Sequence, residues 1–161
     1  MSKSKIEVAA NTFSMENTIK TVGFAISNAD PAKWGFRYNL SKGLVKQIPL
    51  GEVIDQPLTI DSIAVYTFHS DKTDPESKLR HSLLLITPDM KVYRTSSEHL
   101  FYQMVDMCRM SLNDSADFRA MPLTIVVRRK ELDGGKTMYD MEVVDLSAQV
   151  NNTVNEEKVS L

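Results

Sequence analysis

The chain is poor in residues that staple, coordinate or catalyse. It has 1 cysteine, Cys108, in 161 residues, so no intramolecular disulfide can form, which suits a reducing compartment. Its 3 histidines, His69, His81 and His99, are spread too widely for a local metal signature, and they read as exposed or capping side chains. No Gly-rich phosphate loop of the Walker or Rossmann kind occurs. No run approaches the roughly 18 apolar residues of a membrane span, and residues 1–20 lack the apolar block of a secretory signal. Positive charge is not in surplus either: 19 Lys and Arg against 21 Asp and Glu give a formal charge of −2. That excludes coating of duplex DNA by bulk charge but leaves room for a local basic groove.

Catalytic constellations are missing too. Cys108 falls on an apolar helical stripe, where thiols are inert, so a pair with His99 is not expected. Asp140 and Glu142 alternate along a strand, as on a solvated face. The expectation is a non-enzymatic cytoplasmic protein with no cofactor, no metal and no membrane contact.

What is present is a succession of strand patterns. Residues 1–18 are polar and irregular and read as a flexible arm. Residues 19–28 look like a strand that ends in the turn cluster Asn28-Ala29-Asp30-Pro31. In residues 33–42, Trp34, Phe36 and Tyr38 recur at every second position, which on a strand places them on one face. A meandering connection with Gly43, Pro49, Gly51 and Pro57 leads to a β-rich run, 58–68, without clean alternation, as where a strand bends and both faces are covered. The apolar strand 82–87 turns at Pro88-Asp89, and Val92-Tyr93-Arg94 returns.

An amphipathic helix is predicted over 96–112, with Thr95 and Glu98 as a capping box and Leu100, Phe101, Met104, Val105, Cys108 and Leu112 on its stripe. Strands 122–132 and 136–146 meet at Asp133-Gly134, a strong hairpin signal. Residues 147–161 read as a disordered tail. Three strands, a helix and a hairpin are the order of an OB-fold-like five-stranded barrel, with the helix between strands 3 and 4. An N-terminal strand extends it, so the domain covers 19–146.

Single strands are held by cations that meet phosphates and by flat rings on which unstacked bases lie. Three places offer both or either. Lys33, Trp34, Phe36, Arg37 and Tyr38 interleave the two types. Lys91, Tyr93 and Arg94 follow the turn between strands two and three. Arg128 and Lys130 share a parity on the last hairpin, opposite to that of Leu123, Ile125 and Val127.

Residues 80–97, Arg-His-Ser-Leu-Leu-Leu-Ile-Thr-Pro-Asp-Met-Lys-Val-Tyr-Arg-Thr-Ser-Ser, resemble a segment of the single-stranded-DNA-binding proteins of tailed bacteriophages of Gram-positive hosts. The Pro-led strand from Pro122 and its return through Tyr139 continue the likeness, which spans about 50–146. It implies sequence-tolerant binding of single-stranded DNA, with RNA as an open alternative, during phage replication or recombination in the bacterial cytoplasm. Self-association and contacts with replication proteins would accompany it. Met90 departs from the pattern, standing where that family often has Gly. The tail lacks an acidic Pro-Phe tip. The rival expectation is a phage adaptor that docks the same small barrel on a host or replisome protein.

Overall fold

The computed structural model of the chain describes residues 13–27 and 30–144. Its strands are β1 (Gly23–Ile26), β2 (Gln47–Pro49), β3 (Pro57–Ile60), β4 (Ser62–His69), β5 (Leu79–Ile86), β6 (Val92–Thr95), β7 (Leu123–Glu131) and β8 (Thr137–Val143). The helices are α1 (Met15–Thr18), α2 (Trp34–Ser41) and α3 (Glu98–Met110). The protein is therefore mainly β, with a five-stranded sheet in the order β1-β4-β5-β6-β2 and a three-stranded sheet in the order β3-β7-β8.

The β-rich run 58–68 bends at Asp61 and serves both sheets. Its first part, β3, pairs with β7, and its second, β4, with β5. On the inner face, Ile63, Val65, Leu83 and Leu85 pack against Ile125 and Val127 of the small sheet and against α3. On the outer face, Ala64, Leu84, Ile86 and Val92 are covered by Leu40 of α2, with Phe36 beside it. Two covered faces explain the unbroken apolar runs, because alternation is needed only where one face meets water. Each fully buried Leu or Ile contributes roughly 1.5–3 kcal/mol.

The expected five-stranded barrel is not closed. Both edges that would meet are occupied. β2 pairs in parallel with β6, Gln47 opposite Val92 and Pro49 opposite Arg94. On β8, the amide of Met141 donates to Gln103 Oε1 at 2.8 Å, so α3 lies where a closing strand would pair. His99 and Gln103 also bond the Asp140 carboxylate, fixing the helix there.

Other expectations need correction. A single helix is expected from the sequence, and three are present among the described residues. The N-terminal strand is only Gly23–Ile26, and α1 precedes it with Met15 fully buried in the core. Secondary structure is therefore present before residue 19, within the stretch expected to be a flexible arm; residues 1–12, and 145–161 with the expected disordered tail, lie outside the described residues. The cap of α3 is Ser97, whose hydroxyl accepts from Leu100 N. Thr95 instead accepts from Ser97 N, and Glu98 turns away to His81.

His81 is neither exposed nor a cap. It is 1% exposed and stacks on Phe101 with ring centroids 4.1 Å apart. Nδ1 faces Glu98 Oε2 at 3.0 Å and Nε2 faces the Ile19 carbonyl at 2.8 Å.

Candidate nucleic-acid interface

The aromatic series 34–38 is helical, not extended. Asp30 Oδ1 accepts from Ala32 N at 3.0 Å and Pro31 opens a 3-10 turn that leads into α2. Pro presets the first helical φ and lacks only an amide that would be orphaned anyway. At the other end Gly43 takes φ +71. Leu44 N donates to Asn39 O and Gly43 N to Leu40 O, the paired bonds of a Schellman stop.

Helical spacing splits the three rings. Positions four apart lie about 40° apart around the axis, while positions two apart fall on nearly opposite sides. Phe36 therefore turns inward with Leu40, onto the outer face of the large sheet. Trp34 and Tyr38 turn outward and are 67% and 54% exposed. Lys42 Nζ stands 5.8 Å from the Tyr38 ring centre, over its face. The Tyr66 hydroxyl donates to Ser41 O at 2.7 Å and ties the end of α2 to β4.

Lys33 and Arg37 flank the rings, half-buried. Neither has an ion-pair partner among the described residues. Both line a shallow pocket of about 270 Å³, counted with its open mouth, whose far wall includes Met90. The fold thus brings the 33–38 segment to the turn between β5 and β6. That turn is rigid: Thr87 Oγ1 bonds the Asp89 carboxylate and accepts from Lys91 N. Met90 sits in it at φ +64 and is 46% exposed. Left-handed backbone is strained for a residue with a Cβ, which is why Gly suits such a position.

The remaining predicted residues divide. Tyr93 is buried in the core between the sheets and is no stacking platform; its parity on β6 matches the inner face. Arg94 is exposed on the outer face, in register between Leu84 and Pro49. Lys91 Nζ is 3.9 Å from Asp89 Oδ2, and the Thr87 bond, with Lys91 a lesser cause, holds that carboxyl below its usual range. Arg128 is matched by Glu142 at 3.1 Å and Asp55 at 3.2 Å, so its charge is partly answered within the protein. Lys130 is exposed on the small sheet, opposite Met138. Lys42 is interleaved with the same aromatic series in the sequence but is not among the expected contact residues. Its signal was the Gly43 stop, which makes residue 42 the C-cap of the helix, one turn past Tyr38 and over its ring.

Cys108 is buried, and that burial, with Asp114 adding, pushes its thiol up to about 12. Among the described residues no group of three or more His, Cys, Asp or Glu is placed to hold a metal ion. No helix of the described residues is long and apolar enough to cross a membrane. Compared with protein-family models, curated proteins and solved structures, the chain matches none. The fold and the surface define it as a mainly β protein that displays one aromatic and cationic helix face.

Proposed function

We propose that the protein binds single-stranded nucleic acid, DNA in the first place, through the outward face of α2. The observation that carries this reading is the pair Trp34 and Tyr38, exposed one helical turn apart among Lys33, Arg37 and Lys42. Four residues of helix rise about 6 Å, near twice the roughly 3.4 Å repeat of a stacked strand, so a base fits against either ring. Stacking on such rings is tolerant of sequence, because every base has a flat face.

The order of three strands, a helix and a hairpin supports an OB-like ancestry of an opened barrel. The likeness of residues 80–97 to phage single-strand binders points to phage replication or recombination as the setting. Trp34 is the only tryptophan, so its fluorescence reports the face directly. Titration with oligo(dT) is expected to quench it, and three phosphate contacts give a log K against log salt slope of about −2, at roughly 0.7 per contact. Unchanged fluorescence together with no gel shift sinks the reading.

One observation favours the rival, a protein-docking adaptor. Arg128 and Lys91 are paired with acids, and Leu44, just past α2, is 71% exposed. A folded protein that ignores oligonucleotides would assign the face to a protein partner.

A further inference from the structure

The floor of the pocket beside α2 is a carboxylate. Asp61, at the bend between the sheets, is 8% exposed. Its backbone is fully engaged, the amide to Ile86 O at 3.0 Å and the carbonyl by Phe118 N at 2.9 Å. Its Oδ1 accepts from the Ser62 hydroxyl at 3.1 Å. The second oxygen has no hydrogen-bond partner among the described residues. No sealed side-chain oxygen there lacks a partner, so this oxygen is open to solvent, and Asp61 is part of the pocket lining. Arg119 lies within electrostatic reach of Asp61 but forms no hydrogen bond with it, so this deeply buried carboxylate keeps acceptor capacity for a hydrogen-bond donor in the pocket.

The rest of the pocket narrows the donor's identity. Phe36 and Met90 are apolar walls, and Lys33 and Arg37 are cations in the same lining. The enclosed part holds about one water molecule, so it admits the edge of a flat ring and not the whole ring. A phosphate is repelled from the floor by Asp61. A bare metal ion meets one carboxylate and two cations.

The edge that fits carries adjacent N–H donors beside an acceptor. Guanine has N1–H and N2–H for the carboxylate, and O6 for a cation. Thymine offers one N–H between two carbonyl oxygens, which would oppose the carboxylate.

We propose that this pocket takes the Watson–Crick edge of one unpaired guanine, with Asp61 accepting from N1–H and N2–H. The inference rests on the single-strand reading and adds a preference to it: binding tolerates any sequence but is strengthened by guanine. The test is competition against labelled oligo(dT) by oligo(dT) strands with one central dT, dG or dI. The dG strand is expected to compete about tenfold better, within the discrimination of one bidentate base contact. Inosine lacks the 2-amino group and should lose most of the gain. Asp61→Asn, nearly equal in volume, should erase the dG preference and leave oligo(dT) affinity in place, with thermal melting as the check on folding. The inosine comparison needs no variant. Equal competition by dG and dT strands overturns the guanine pocket while the single-strand reading stands. Failure of every strand to bind overturns both.

Discussion

Glu98 shows how one side chain serves two elements. As the first residue of α3 it lies where the helix dipole favours an anion. It accepts from His81 N at 2.6 Å and faces His81 Nδ1 at 3.0 Å, with Arg80 Nε 3.6 Å away. It therefore joins α3 to β5, and through His81 to the chain after α1. Glu98→Ala leaves a backbone amide and a buried ring nitrogen without acceptors, at a cost of about 1–3 kcal/mol. Urea unfolding is expected to show the loss, with Glu98→Gln recovering part of it. A neutral Glu98→Ala would mean that water satisfies both donors. The sequence offered a different role, half of a capping box with Thr95. The spacing was right for a box, but the helix starts at Glu98, so Ser97, two residues after Thr95, holds the cap. Tyr93 shows the same limit: its position in a basic cluster invited a surface role, and only the pairing of β6 with β5 decided that it faces inward.

At the scale of elements, α2 carries the argument. Its aromatic series satisfies a period of two as well as it satisfies a helix, since Trp34, Phe36, Tyr38 and Leu40 fall on every second position. The signals that favour the helix were the Asp30-Pro31 start, the Gly43 stop and the Phe36–Leu40 spacing. They are local and weak beside a run of β-forming rings. The outer face of β4 and β5 tipped the balance, because Ala64, Leu84 and Ile86 need a cover and the Phe36–Leu40 stripe supplies it. Gly43→Ala is expected to destabilise the protein by about 1 kcal/mol, because φ +71 is strained for alanine. Open space around the site excludes a steric clash as the cause. The same variant should weaken oligo(dT) binding by loosening the end of α2 that carries Tyr38 and Lys42. Unchanged affinity would place the contacts nearer Trp34.

The pH response of the whole molecule is set in part by surface carboxylates that bond charged or polar partners. Asp140 is held below its ordinary range first by the His99 bond and then by Gln103. Asp117 is held down by Arg119, and Glu16 by Arg109 across from α1 to α3. A carboxyl whose folded value is depressed contributes stability above its unfolded value, near 3.8 for Asp and 4.5 for Glu. That contribution is lost as pH falls through the folded value. The melting temperature is therefore expected to hold from pH 7 to about 5 and to fall below about 4. A flat profile down to pH 2 would show that these contacts do not discriminate the folded from the unfolded chain.

Local chemistry in the sequence determined the strand patterns, the apolar stripe of α3 and the hairpin glycines, Gly134 and Gly135, both left-handed in the structure. These follow from periodicity and backbone sterics within a few residues. Tertiary structure alone decided the rest. The barrel stays open because β2 and Gln103 occupy the edges that would have paired, a competition between segments far apart in the chain. The rings divide into buried and displayed because a sheet face required cover. Asp61 meets Lys33 and Arg37 in one pocket because the bend between the sheets lies under α2. Such juxtapositions depend on which surfaces remain unsatisfied once the strands have paired.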